Sequence, residues 1–143
     1  MMPPSQDHEW IKELFFRAAF VRDMGIELTC VGEDYVETAL DITGRMTQQD
    51  GFVHAGVLAT LADHTGGGAG WTACRRDQTV LSVEFKISML RPAMGPRLRC
   101  RAEVIRAGKS VIFTEATVLG GDGREVARLT QTLAVVPIGI GNR

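Results

Sequence analysis

Cysteine is scarce and scattered in this chain. Cys30, Cys74 and Cys100 are odd in number, far apart and fit no metal-ligand or redox spacing, so buried, reduced packing roles are expected for all three. Long apolar runs are missing too. No stretch approaches the ~18 residues of a membrane span, and Met1 to Glu9 lacks the basic-then-apolar layout of a secretion signal. No membrane partner is therefore expected, and the cytoplasm is the expected location. An excess of one charge sign is also absent: the formal net charge of -1 argues against a nucleic-acid partner, which usually demands a basic surplus. No metal, nicotinamide or flavin motif occurs. Gly66-Gly67-Gly68 lies inside a helical pattern, without the strand-turn-helix context of a dinucleotide loop, so no cofactor is expected.

What is present suits a folded domain. The 143 residues are enough for one core but not two, and 45% hydrophobic with 23% charged residues is a globular composition. A single domain over 1–143 is expected, with its core at about 25–136. Asp7 to Arg22 places Trp10, Ile11, Leu14, Phe15 and Ala18 at helical spacing, with Asp7 available as a cap, which predicts one N-terminal helix over about 7–22. Alternation in Ile26, Leu28 and Cys30, then in Val36, Thr38 and Leu40, predicts a hairpin turning at Gly32-Glu33-Asp34.

From Ala55 to Ala73 the period becomes helical through Leu58, Leu61, Ala62, Thr65 and Ala69, in company with Gly66, Gly67, Gly68 and Gly70. Each glycine costs a helix about 1 kcal/mol relative to alanine. Very close packing against the helix backbone must compensate, as a curved sheet wrapped around a thin helix would provide. From Leu81 to Met89, Leu81, Val83, Phe85, Ile87 and Met89 alternate with Ser82, Glu84, Lys86 and Ser88, which predicts a half-buried antiparallel strand. Three more strands follow, through Leu98 to Val104, Ser110 to Leu119 and Ala127 to Val135. This order predicts an α+β fold in which an antiparallel sheet of about six strands surrounds one long helix.

Two features bear on chemistry. His54 precedes the central helix, whose first N–H groups, around Ala55 and Gly56, carry partial positive charge and suit a developing oxyanion. Asp63 is a carboxylate in an otherwise small and apolar helical segment, where it must be paired or used. Eight residues separate Ala55 from Asp63, about 12 Å along a helix, so they cannot serve one carbonyl together. Two such helices running antiparallel about a two-fold axis would form two composite sites, so a homo-oligomer of at least two chains is expected. His64 points about 100° away from Asp63 and is expected to be non-catalytic. Between Lys86 and Lys109 stand seven basic residues against the one acid Glu103. Either an anionic ligand or a solvated strand face with acids supplied from elsewhere explains this excess.

The run from Gln48 to Asp63, with His54 nine residues before Asp63, resembles the signature of the PaaI-type thioesterases of the hotdog superfamily, in which a His-Gly-Gly turn opens the central helix. Ser82-Val83-Glu84-Phe85, Leu90-Arg91-Pro92 and Gly108-Lys109-Ser110 extend the resemblance, which covers roughly 25–136. Ala55 replaces the first glycine of the turn, and Gln48 stands where many relatives carry Asn. The resemblance implies a hotdog fold and hydrolysis of an acyl-CoA thioester, CoA being part of the substrate. It implies a catalytic group of Asp63, as general base or nucleophile, with Gln48, His54, the Ala55 N–H and Ser82. His54 is expected to fix the turn rather than transfer protons. Gly56, Arg91, Gly108, Lys109 and Ser110 are the candidate substrate-binding residues, and a dimer or a tetramer built from dimers is the expected assembly. A non-catalytic acyl-CoA-binding domain and an acyl-thioester hydratase or dehydratase are the alternatives on the same fold.

Overall fold

The computed structural model describes residues 8–142. Helices α1 (Glu9–Phe15) and α2 (Ala19–Met24) lead into strands β1 (Glu27–Val31) and β2 (Tyr35–Asp41). After a short 3-10 turn at Gly44–Met46 comes the long helix α3 (Ala55–Trp71), followed by β3 (Gln78–Met89), β4 (Arg97–Ala107), β5 (Val111–Leu119) and β6 (Glu125–Pro137). The six strands form one sheet in the order β1-β2-β4-β5-β6-β3, with every neighbouring pair antiparallel. The sheet curls around α3, which packs on β2 through β6. The expected hotdog arrangement is therefore the observed one.

The N-terminal segment departs from expectation: two short helices replace the single one over 7–22, and Asp7 lies outside the described residues. Ile11 and Phe15 share one face and are buried. Val21 is six positions beyond Phe15, about 240° away on a continuous helix, yet it is buried as well. The break at 16–18 re-aims the chain so that both sets of apolar side chains reach the core. Gly25, at φ +85°, then ends α2.

The glycine-rich helix meets the packing it requires. A Cβ on Gly70 would stand 2.5 Å from Leu133 Cδ1, and one on Gly68 would stand 3.4 Å from Val36 Cγ1. Strand β3 behaves differently from its sequence pattern. Its register with β6 shifts between Ser82 and Glu84, so Val83 is a bulge and the faces exchange there. Ser82 shares the helix-facing side with Phe85, Ile87 and Met89, opposite Leu133, Gln131, Leu129 and Ala127, whereas Leu81 is opposite Ala134 on the outer side. The strand is not half-buried along its length as expected: Leu81 is 50% exposed, Val83 62% and Met89 43%. It lies at the sheet edge, paired only with β6 among the described strands.

Two of the seven basic residues of this stretch, Arg97 and Arg101, are paired with acids on the outer face of the sheet. Arg97 donates to Asp41 at 2.9 Å and meets Glu27, and Arg101 bonds Glu37 at 2.7 Å while lying 4.0 Å above the Tyr35 ring. The acids come from β1 and β2, which sequence order does not place beside β4. All three thiols are free, but only Cys100 is fully buried; Cys30 and Cys74 are partly exposed.

Candidate active site

The first half of the site is the start of α3. His54 is the N-cap, extended at φ -63° and ψ 139°, and its Nδ1 accepts the Gly56 N–H at 2.8 Å. A backbone amide can only donate, so Nδ1 carries no proton and the ring serves as a cap, in keeping with a turn-fixing role. This bond narrows the pair of open donors anticipated at the helix start, because the Gly56 N–H is engaged. The Ala55 N–H has no acceptor among the described residues, and Ala55 is exposed.

Ala55 opens onto a cleft of about 520 Å³ lined by Gln48, Phe52, His54, Leu58, Met89 and Arg91, among others. Gln48 sits in a tight loop closed by hydrogen bonds from its own N–H to Phe52 O (2.8 Å) and from Gly51 N–H to its carbonyl (3.0 Å), with Gly51 at φ +86°. Its Oε1 accepts the N–H groups of Asp50 at 2.5 Å and Phe52 at 3.2 Å. The loop thus uses the amide oxygen, and the NH2 is the end left to act as a donor. Arg91 Nη1 donates to Glu125 O at 2.7 Å.

The second half surrounds Asp63, two turns further along α3. Asp63 Oδ1 accepts from Ser82 Oγ at 2.7 Å and from Gln131 Nε2. Ser82 reaches it only because the bulge at Val83 turns this part of β3 inward. Gln131 also donates to Ser82 Oγ at 3.0 Å, and its own Oε1 accepts from Thr114 Oγ1 at 2.9 Å. Neither Gln131 nor Thr114 was among the candidates from sequence, although a signal existed. Both interrupt apolar stripes, Ala127-Leu129-Gln131-Leu133 and Ile112-Thr114-Ala116, at core-facing positions.

Asp63 does not line the Ala55 cleft. One chain therefore brings Gln48, His54, Ala55 and Arg91 together in one place and Asp63 with Ser82 in another. Gly108, Lys109 and Ser110 are exposed at the β4–β5 turn, where Ser110 O accepts the Val135 N–H. Arg91 is beside Glu125, at the other end of β6, about 30 Å away along the strand. His64 turns away from Asp63: its Nε2–H donates to Phe15 O at 3.0 Å and its ring is 4.3 Å from Phe15. Burial pushes its pKa down, against smaller upward influences from the Phe15 carbonyl and Asp63. Among the described residues no group of three His, Cys, Asp or Glu side chains could hold a metal, and no helix is long and apolar enough to cross a membrane.

Among solved structures, a thioesterase family protein from Silicibacter pomeroyi superposes with a TM-score of 0.87 at 32% identity, covering 90% of this chain and 97% of that one. The Escherichia coli PaaI protein of the phenylacetic acid degradation operon superposes at 0.85 over 94% of this chain and 96% of its own, with 18% identity, a likeness of fold alone. The class is thus that of thioester hydrolases on the hotdog fold. The chain belongs to the thioesterase superfamily, whose family model matches residues 50–127. Its relatives include the proofreading thioesterase EntH of Cronobacter turicensis, 28% identical over 116 residues, 81% of this chain and 85% of that one. A Haemophilus influenzae protein provisionally named an esterase is 31% identical over 116 residues, 81% and 84% of the two chains.

Proposed function

We propose that this chain hydrolyses the thioester of a small aryl-CoA or short- to medium-chain acyl-CoA, at sites shared between two copies of the chain. The observation that carries this reading is the division of the chemistry: an unpartnered Ala55 N–H at a cleft, and a carboxylate held by one oxygen about 12 Å away along α3. The unpaired edge of β3 supports the joining of the halves. If two β3 edges pair antiparallel about a two-fold axis near Phe85, Ser82 of one chain falls opposite Ser88 of the other. Asp63 and Ser82 then approach the partner's cleft beside Met89. The same operation carries Lys109 and Ser110 toward the partner's Arg91, which would gather the candidate phosphate contacts.

In such a site the Ala55 N–H polarises the thioester carbonyl and the Gln48 NH2 orients water or substrate. Asp63 takes a proton from water as the oxygen attacks the carbonyl carbon, or attacks it directly to give an anhydride that water opens. In either course the C–S bond breaks, the sulfur leaves as the CoA thiol, and the acyl group leaves as a carboxylic acid. No metal or further cofactor enters the proposal, and a tetramer would be two such dimers.

Asp63→Asn is a clean test, because the amide oxygen of Asn can still accept from Ser82 and Gln131 while the group loses its basicity. Thiol release from a panel of aliphatic and aromatic acyl-CoA esters is expected with the natural chain and to fall by about 10²- to 10⁴-fold in Asp63→Asn. Acyl-CoA binding without thiol release by either protein would instead make this a binding domain. Dehydration of a 3-hydroxyacyl thioester would make it a dehydratase.

A further inference from the structure

We infer that Gln131 is a positioning residue that fixes the orientation of the Asp63 carboxylate and leaves Oδ2 as its working oxygen; this rests on the proposed role of Asp63. Gln131 lies in the middle of β6, faces α3 and is 3% exposed. A buried amide is tolerated only when its polar atoms are satisfied, so its partners dictate which way it points. Thr114, directly opposite on β5 and 1% exposed, donates its hydroxyl proton to Gln131 Oε1 at 2.9 Å. The NH2 end is thereby aimed at Asp63 and Ser82.

The protons then have one consistent sense. One Gln131 N–H goes to Asp63 Oδ1 and the other to Ser82 Oγ at 3.0 Å, so the Ser82 proton goes to the same Oδ1 at 2.7 Å. A reversed amide would turn its carbonyl oxygen on the carboxylate, and the Thr114 hydroxyl would lose the acceptor it has now. Two donors converge on Oδ1 and fix the plane of the carboxylate, and Oδ2 is left to face water or thioester.

The central helix is built to admit this chain of bonds. A Cβ on Gly66 would stand 2.2 Å from Gln131 Oε1 and 3.1 Å from Thr114 Oγ1, so only glycine leaves the amide its place. One glycine of α3, one strand bulge and two polar interruptions of apolar stripes therefore converge on a single carboxylate oxygen.

Steady-state hydrolysis of the best acyl-CoA ester would be compared for the natural chain, Gln131→Met, Thr114→Val and Thr114→Ser, with circular dichroism and thermal unfolding to confirm the fold. Gln131→Met keeps side-chain length but removes both donors, and is expected to lower kcat about 10- to 100-fold with KM within about twofold. Thr114→Val keeps shape and is expected to lower kcat about 3- to 10-fold, with Thr114→Ser restoring it. A purely packing role would not separate Ser from Val in kcat alone. The inference is overturned if folded Gln131→Met keeps kcat within about twofold of the natural chain. If Gln131→Met does not fold, the Thr114 pair decides: equal kcat for Val and Ser overturns it. An inactive Asp63→Asn beside a fully active Gln131→Met removes this inference alone, whereas an active Asp63→Asn removes the role of Asp63 and this inference with it.

Discussion

Asp63 and His64 are successive residues whose side chains leave α3 about 100° apart and meet different surroundings. Asp63 joins Ser82 and Gln131, while His64 stacks on Phe15 and hydrogen-bonds its carbonyl. Because burial lowers the His64 pKa, the folded chain takes up this proton less readily than the unfolded one. Its contribution to stability is present above the unfolded value of about 6.5 and is lost as the pH falls from there toward the lowered folded value. A fall in Tm between about pH 7 and 5 is expected for the natural chain, and His64→Gln, which can still donate to Phe15 O, is expected to flatten it. Equal slopes for the two proteins would mean that another group controls acid stability. The divergence of the two side chains was legible in sequence from helix geometry, but the partners were not. Phe15 is 49 positions from His64, and Gln131 is 68 from Asp63.

At the level of elements, α3 concentrates the unusual demands of the fold. Its spacing and its glycines announced a helix needing close neighbours, yet four similar glycines meet different surroundings. Gly66 is blocked by Gln131 and Gly70 by Leu133, while a Cβ on Gly67 would have nothing within 4 Å. Gly67→Ala is therefore expected to leave Tm unchanged or raise it, by up to about 1 kcal/mol of stability, because alanine is the better helix former. Gly66→Ala must displace a buried amide and is expected to cost about 1–3 kcal/mol, measured by denaturant unfolding. The reverse order would mean that the Gly67 face is covered by a partner and the Gly66 face can relax. Strand β3 shows the opposite limit of pattern reading. Its alternation named a strand correctly but assigned Ser82 and Phe85 to opposite faces, because a single bulged residue at Val83 exchanges the sides.

At the scale of the whole molecule, the proposed two-fold can be tested without a structure of the complex. Pro is well tolerated at the first position of a helix and demands an extended residue before it; His54 already is extended. Ala55→Pro is therefore expected to keep the fold and to lower kcat about 10²- to 10³-fold by removing the N–H. Ala55→Pro and Asp63→Asn should each be nearly inactive alone. If sites are composite, a mixed dimer has one site with both natural residues and one with neither. Unfolding and refolding the two variants together in equal amounts should restore about one quarter of natural activity, since about half the dimers are mixed and each has one working site. No recovery on mixing would place each site within one chain and sink the two-fold arrangement.

The sequence by itself determined the class of fold and the central helix with its capping His54 and lone carboxylate, because each follows from local periodicity, and the distance along one helix is what motivates the proposal of a site shared by two chains. Only the tertiary structure decided that Arg97 and Arg101 of the basic stretch are paired with acids from β1 and β2, that Ser82 rather than Leu81 faces the helix, and that Gln131 and Thr114 stand behind Asp63. The physical reason is the same in each case. Strand order and register bring together residues far apart in the chain, and one bulge reverses a face, so neither can be read from periodicity within a single segment.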